Sequence, residues 1–322
     1  DKYQPLKDFT MNHFKSIKIG LLLLGCISVV SSFAQQQPLY TMYMWNQLII
    51  NPAYAGSRDA FSASAVWREQ WVGLDGAPST QVLSLHTPLP NENLGVGFTL
   101  QNDRIGPSNN TGVWGDFSYK IQINEKSKLS FGLRAGFEVF QSDLRSLENI
   151  DPDDPAFANN VENRFLPNFG FGAYYYGSRG YIGVASPTVI ENELHPNGGG
   201  SNDLSVRHYY LHGGYVFNLS ADSGGVMFKP STVVRYTPGA PITFDITANF
   251  LIAQKFWVGG SYRFEDAAAA LFAFQITPHL QAGYSYDFGT SNLRTHHKGS
   301  HEVMLTYDFF NNDVKTKNPR YF

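Results

Sequence analysis

Charge, cysteine and long apolar runs are all scarce in this sequence, and each scarcity excludes a class of protein. Charged residues make up 16% of the 322 residues, below the roughly 25% typical of soluble domains. The single cysteine excludes an internal disulfide. The longest apolar run, residues 19–30, is too short to cross a bilayer as a helix. A net charge of −3 provides no basic face, so no nucleic-acid partner is expected.

The N-terminal region has the pattern of a secretory signal. Residues 1–10 precede the first methionine and are interpreted as upstream or added sequence. Within 11–34, Lys15 and Lys18 provide a positive start, the apolar run follows, and small residues end at Ala34. We expect a Sec signal peptide cleaved after Ala34, which takes the protein out of the cytoplasm.

An alternative interpretation makes Cys26 the lipidated residue of a lipoprotein signal. Leu23–Cys26 has the residue types of such a site, but the apolar run continues beyond Cys26, where polar residues normally follow. Ordinary cleavage is therefore favoured, and it would leave the mature chain without cysteine.

From residue 58 to 310 the chain alternates apolar and polar or small residues, which is the pattern of β-strands because successive side chains point to opposite faces. The predicted strands span 59–71, 78–88, 93–103, 111–124, 128–143, 165–176, 179–190, 205–219, 226–237, 241–254, 255–265, 267–277, 279–289 and 300–310. About fourteen strands of this length predict a transmembrane antiparallel β-barrel. The remaining divisions are an N-terminal periplasmic or plug segment, 35–57, and a C-terminal tail, 311–322.

The charged residues of these strands share one parity, opposite to the aromatic face. We expect them to line the lumen, because charge exposed to lipid is costly. They are Lys120, Arg134, Glu138, Arg235, Asp245, Arg263, Asp287 and Glu302. Aromatic residues near strand ends are expected to form interfacial girdles. These are Trp67, Trp71, Tyr174, Tyr215, Trp257, Tyr284 and Tyr307. The alternative is a soluble sandwich or propeller with a core of aromatic side chains.

The segment before the first strand is also apolar. Residues 40–50 are predicted to form a short helix that ends before Pro52 and packs at or in the barrel mouth; the alternative is an extended periplasmic tail. Glycines inside the strands are expected to permit bends or let another segment approach the wall. They are Gly95, Gly97, Gly132, Gly136, Gly170, Gly172, Gly259 and Gly283.

No motif provides catalytic chemistry, so neither an enzyme nor a cofactor is predicted. His296, His297 and His301 flank a polar loop without a clear acidic or thiolate partner, which argues against a metal site. The acidic loop 151–155 lacks the ligand alternation and central glycine of a calcium loop. A nucleophile elbow is also missing.

Several motifs resemble the PorP/SprF family, the outer-membrane barrels of type IX secretion. The most specific are Asn51-Pro52-Ala53-Tyr54-Ala55-Gly56, Arg68-Glu69-Gln70-Trp71-Val72-Gly73 and Gly76-Ala77-Pro78-Ser79-Thr80, and Pro167–Gly172 is a further match. The resemblance marks twelve residues as structural or partner-binding candidates. They are Asn51, Pro52, Ala53, Tyr54, Gly56, Arg68, Gln70, Trp71, Gly73, Gly76, Pro78 and Thr80.

The resemblance implies a non-enzymatic barrel in the bacterial outer membrane that serves the secretion and gliding machinery. Its implied partners are outer-membrane lipid, periplasmic ring or peptidoglycan-linked lipoproteins, and a large secreted adhesin that it helps to display. Whether the barrel serves secretion generally or one cargo stays open. The alternative function is a channel for small or hydrophobic solutes, and an outer-membrane hydrolase is a third hypothesis.

Overall fold

The computed structural model describes residues 37–146, 160–194, 205–220 and 225–309. The expected signal peptide, the residues before it, the C-terminal tail and the acidic loop 151–155 lie outside these ranges, so those predictions are not tested.

Within the described residues, fifteen antiparallel strands form one sheet that closes on itself. The strands are β1 Phe61–Glu69, β2 Ser79–Pro88, β3 Leu94–Ile105, β4 Ser108–Asn124, β5 Ser127–Ser142, β6 Val161–Gly177, β7 Gly180–Ser186, β8 Tyr209–Tyr215, β9 Phe217–Asn218, β10 Met227–Tyr236, β11 Thr243–Ile252, β12 Phe256–Arg263, β13 Ala267–Gln275, β14 Leu280–Gly289 and β15 Ser300–Phe309. Strand β15 pairs with β1, and β10 pairs with both β8 and β11, which closes the wall. Because β9 only continues β8 along β10, fourteen strands make up the barrel.

The two ends of the barrel differ in their connections. At one end, here called the turn end, β4 joins β5 through 125–126 and β6 joins β7 through 178–179. At the other, the loop end, the links 143–160 and 187–208 are long. Short turns mark the periplasmic side of outer-membrane barrels, and long loops mark the outer side.

The two faces of the wall have opposite chemistry. Phe131 and Leu305 point outwards and are 49% and 48% exposed, whereas Glu302 and Arg68 point into the lumen and are 0% and 1% exposed. The prediction of a fourteen-strand transmembrane barrel is thereby confirmed, and a core of aromatic side chains inside a soluble sandwich is excluded. In the part of the chain that the structure describes, no helix is long and apolar enough to cross a membrane.

The expected aromatic girdle is wrong at two positions. Tyr174 and Trp257 are 1% and 4% exposed and face the lumen, because both lie on the inward parity of their strands. Trp67, Tyr215, Tyr284 and Tyr307 are exposed on the outer face. Trp71 lies in the loop after β1, outside the wall.

Strands β7 and β8 are shorter than predicted, because the chain leaves the wall after Ser186. Residues 187–194, here called the strap, turn inwards across β6, where the Asn168 side chain accepts hydrogen bonds from the amides of Val189 and Ile190 at 2.8 and 2.9 Å. Leu194 then packs in a buried apolar cluster inside the barrel.

Candidate functional site

The lumen is filled by the chain's own N-terminal segment, residues 37–57, here called the plug. Residues 40–57 are all buried. The plug forms three 3₁₀ turns, Tyr43–Trp45, Gln47–Ile49 and Pro52–Tyr54, rather than the single short helix predicted. Its predicted position at or inside the barrel mouth is confirmed, and it is not an extended tail outside the barrel.

At the loop end, Gln37 contacts the strap and the start of β8. Its side-chain amide donates to the Thr188 hydroxyl at 2.9 Å, and its carbonyl oxygen accepts from Tyr210 at 3.0 Å. The Gln37 backbone amide donates to Nε2 of His208 at 3.4 Å. Burial lowers the pKa of His208 to about 4, so its ring is neutral near pH 7 and has an acceptor nitrogen for this bond.

A buried ion cluster holds the plug below that point. Glu302 accepts hydrogen bonds from the backbone amides of Thr41 and Met42, both at 2.9 Å. The Thr41 hydroxyl donates to Asp287 at 2.7 Å. Arg68 bridges the two acids, with its guanidinium 2.7 Å from Asp287 and 2.9 Å from Glu302. The carboxylates therefore neutralise one arginine and fix two successive plug residues.

The ion cluster continues along the wall through two further arginines. Arg263 lies 3.1 Å from Asp245 and 3.7 Å from Asp287, and Arg235 lies 2.7 Å from Asp245. A third acid, Asp266 in the turn between β12 and β13, is 3.1 Å from Arg263. Because buried charges are tolerated only when paired and hydrogen-bonded, this chain of pairs specifies how β10, β11, β12 and β14 face each other.

Arg134 holds the middle of the plug from the opposite wall. Its guanidinium donates to the carbonyl oxygens of Leu48 and Ile49 at 2.6 and 3.1 Å, where the second 3₁₀ turn ends. Asp116 on the neighbouring strand accepts from Arg134 at 2.7 Å and balances its charge. The carbonyl groups that a short turn leaves unpaired are thereby satisfied.

The Asn51-Pro52-Ala53-Tyr54 motif forms the next contact. The Asn51 side chain accepts from the Ala53 amide at 3.0 Å, and it donates to the Ala173 carbonyl at 3.1 Å and to Nε2 of His212 at 3.0 Å. The Tyr54 ring lies edge-on to Tyr174, with centroids 5.6 Å apart. One asparagine thus starts the third turn and attaches it to β6 and β8.

At the turn end, two side chains of strand β4 bind the backbone of the plug directly. Lys120 donates to the Gly56 carbonyl at 2.6 Å, and Ser118 donates to the Ala55 carbonyl at 2.7 Å. Gly56 has a φ of +64°, a left-handed conformation that favours glycine.

Arg58 connects the plug to the barrel seam. It lies 3.3 Å from Asp308 and donates to the Tyr54 hydroxyl at 2.9 Å and to the Trp45 carbonyl at 3.2 Å. Burial lowers the pKa of this guanidinium, but Tyr54 and Asp308 outweigh the burial and raise it above its usual range. Arg58 is therefore charged at every physiological pH.

Wall glycines make room for the plug. A Cβ at Gly95, Gly132 or Gly172 would collide with Ala55, Ala53 or Asn51 respectively. The expectation that another segment approaches the wall at these glycines is confirmed. At three other glycines, the neighbouring atoms belong to the wall or the strap rather than to the plug. A Cβ on Gly136 would meet Trp114, one on Gly170 would meet Pro187, and one on Gly259 would meet Asn249.

The second and third motifs of the resemblance lie away from the plug, except for Arg68 and Thr80, which are buried in the wall. Thr80 donates to Asp103 at 2.6 Å. The loop between β1 and β2 contains the others, which are Gln70, Trp71, Gly73, Gly76 and Pro78. This loop packs on the start of β15, where the Trp71 amide donates to the Ser300 hydroxyl at 3.1 Å. Glu138 faces the lumen from β5 but is only half-buried.

Residues that sequence reasoning did not single out also line the lumen. Asp116 and Asp308 lie on the inward parity that identified the other charges, so the same pattern could have found them. Lys229 is fully buried, with its ammonium 5.9 Å from the Tyr181 ring centroid and 5.8 Å from that of Trp257. Lys229 lies on the same inward parity as Arg235 of this strand, so the pattern could have found it as well.

The histidines of the last loop make local bonds. His301 shares a hydrogen bond of 2.7 Å with the Tyr284 hydroxyl, and His297 accepts from the Gly299 amide at 2.9 Å. Across the described residues, no group of three or more histidine, cysteine or acidic side chains is placed to hold a metal ion.

A family model described as "Type IX secretion system membrane protein PorP/SprF" matches residues 32–307. No curated protein matches the chain. Among solved structures, the CymD monoaromatic hydrocarbon channel is 12% identical, with 83% of this chain and 93% of that chain covered and a TM-score of 0.52. The outer membrane protein Omp33 of Acinetobacter baumannii is 10% identical, with 78% and 98% covered and a TM-score of 0.46. At such identities the likeness to CymD shows the barrel fold alone.

Proposed function

Because the chain belongs to the PorP/SprF family of type IX secretion system membrane proteins, we propose that this outer-membrane barrel is a non-enzymatic component that anchors a secreted protein or assists its surface display. Its role would be mechanical. The wall is held in lipid, and the loop end presents loops to partner proteins.

The plugged lumen supports a scaffold rather than an open conduit. The plug passes from Gln37 near the loop end to Gly56 at the turn end, and wall side chains bind its backbone at both levels. A segment so held blocks free diffusion of solutes. The loop between β1 and β2, which contains Trp71, lies outside the lumen at the loop end and is a candidate surface for partners.

The test is surface display in a strain that lacks this barrel and its paralogues. We expect large secreted proteins to be missing from the cell surface, as measured by protease shaving, and to return when the wild-type gene is restored. Uptake of a small antibiotic serves as the control and should be unchanged. Normal display in the deletion strain would overturn the proposal.

The partners of this barrel are proposed to be a large secreted adhesin and the periplasmic ring or peptidoglycan-linked lipoproteins of the system. Affinity purification of a tagged barrel from native membranes separates the two. Recovery of an adhesin favours a cargo-specific role, and recovery of lipoproteins favours a general one.

A transport channel is the second candidate, since fourteen strands enclose a polar lumen and since a protein of similar fold, CymD, is a monoaromatic hydrocarbon channel. The full chain reconstituted in planar bilayers decides between them. A plugged scaffold is expected to give no ionic current, and stable open currents would favour the channel.

A further inference from the structure

The outer face of the barrel contains an apolar groove that neither the plug nor the loops explain. It spans β5, β6, β7, β8 and β10 and has a volume of about 590 Å³, within the range of ligand pockets of roughly 300–1,000 Å³. Its sides and floor include Phe131, Phe171, Ala173, Val184, Leu211 and Tyr236.

The groove arises from two small side chains placed among large ones. Ala173 pairs with Phe131 on one side and with Val184 on the other, and all three point outwards. Phe131 and Leu211 are 49% and 43% exposed, so they rise on either side of the small pair. The depression is therefore built into the wall by strand register.

The strands that form the wall are also short here, since β7 and β8 have only seven residues each. Strand β7 ends at Ser186, and the strap then leaves the wall for the lumen. The neighbouring edge of β6 cannot accept another strand easily. Pro167 has no N–H and its carbonyl accepts from the Asn192 side chain at 3.1 Å, while the Phe169 amide donates to the Asn168 side chain at 2.9 Å. This edge is thus protected against an added peptide strand.

A positively charged side chain, that of Arg207, lies at the loop end of the groove. Tyr209 lines the groove, and Arg207, two residues before it and on the same parity, places its guanidinium 3.4 Å from the Tyr209 hydroxyl. The Val189 carbonyl accepts from Arg207 at 2.9 Å and orients the side chain, which is 35% exposed. The nearest acid, Glu191, is 3.9 Å away. A partly exposed guanidinium at this height can pair with phosphate.

We propose that this groove is a specific site for one anionic lipid, with an acyl chain in the groove and a phosphate group at Arg207. The groove is continuous with the apolar belt that faces the bilayer, so an acyl chain reaches it without leaving hydrocarbon. The capped β6 edge excludes a polypeptide strand, and the guanidinium complements an anionic headgroup.

The test is native mass spectrometry of the full chain in detergent, titrated with phosphatidylglycerol. One lipid should remain bound to the wild type under conditions that remove the others. Ala173→Phe and, on the next strand, Val184→Phe fill the groove and should each weaken that binding about tenfold. The matched control is Ala270→Phe, an outward-facing alanine on β13, which should bind as the wild type does. Heat-modifiable migration in gels confirms that each variant is folded.

The headgroup is tested with Arg207→Gln and a second titration with phosphatidylcholine. The wild type should prefer phosphatidylglycerol, and the variant should lose the preference while its groove still holds a chain. Equal binding by the wild type and both groove-filling variants would overturn the site. Equal weakening by Ala270→Phe would show a general lipid annulus and also overturn it, and an unchanged preference in Arg207→Gln would overturn the headgroup assignment.

Discussion

Arg68 shows how a single buried side chain supports both the wall and the plug. Its guanidinium contacts Asp287 and Glu302, and the same two acids bind Thr41 and Met42 of the plug. Removing the arginine would take away the guanidinium that lies 2.9 Å from the buried Glu302, and would leave Asp287 with only the more distant Arg263 at 3.7 Å. The pair itself contributes little net stability, but breaking it is expensive.

We predict that Arg68→Gln lowers the free energy of unfolding by about 3–5 kcal/mol, because one partner of a buried ion pair is removed. Urea unfolding in lipid vesicles, followed by tryptophan fluorescence, measures the change. Arg104→Gln, at an exposed arginine of β3, is the control and should stay within about 0.5 kcal/mol of the wild type. Two equal curves for Arg68→Gln and the wild type would contradict the assigned role.

At the scale of single residues, the sequence predicted which face a side chain takes but not what it contacts. Alternation placed Arg134 and Glu302 in the lumen, because parity is a local property of a strand. The partners of Arg134 are the carbonyls of Leu48 and Ile49, more than 80 residues earlier in the chain. Such pairs depend on where the plug lies, and no local pattern contains that information.

At the scale of elements, the fit between the plug and the wall depends on close backbone approach. Gly132 of β5 lies against Ala53 and Pro52 so closely that a Cβ has no room. On the adjacent strand, Gly115 faces outwards, and a Cβ there would meet only the Ala135 carbonyl at an ordinary 3.8 Å. These two glycines therefore form a matched pair.

We predict that Gly132→Ala displaces the plug and lowers the free energy of unfolding by about 1–3 kcal/mol, as overpacking does in a filled interior. A cysteine introduced at the buried Gln47 should then react faster with a water-soluble maleimide. Gly115→Ala should leave both the labelling rate and the stability unchanged. Slow labelling in both variants would mean that the wall adapts to the added methyl group.

Strand number and the inserted position of the N-terminal segment could be predicted from the sequence, whereas local conformation could not. Residues 40–50 are apolar enough to require burial, but packing against a closed wall divides them into two 3₁₀ turns instead of one helix. Strand β7 ends at Ser186 rather than at 190, because the inward-facing Asn168 side chain accepts hydrogen bonds from the amides of Val189 and Ile190. Tertiary contacts decided both.

For the molecule as a whole, the distribution of polar and apolar side chains is inverted relative to a soluble protein. Polar and charged groups form the interior, and aromatic and aliphatic side chains form the outside. An outward-facing position near the middle of a strand should therefore tolerate charge poorly, while one near a strand end should tolerate it better.

We predict that Leu305→Arg, in the middle of β15, destabilises the barrel by about 2–4 kcal/mol in lipid vesicles. The matched control lies on the same strand and face: Phe309→Arg, at its end, should cost no more than about 1 kcal/mol. Reversible urea unfolding measures both. A larger loss at Phe309 than at Leu305 would place the hydrocarbon at a different height on the barrel.

The plug also constrains the order of assembly. Thr41 is made early, yet the carboxylate that holds its amide belongs to Glu302, 261 residues later, and the Asp287 that binds its hydroxyl is 246 residues later. Contacts of such sequence separation form slowly, because much chain entropy must be lost first. The plug, which precedes every strand in the chain, must therefore wait without these partners until the last hairpins have formed. Biogenesis of this barrel consequently depends on factors that shelter an apolar leader from aggregation during that interval.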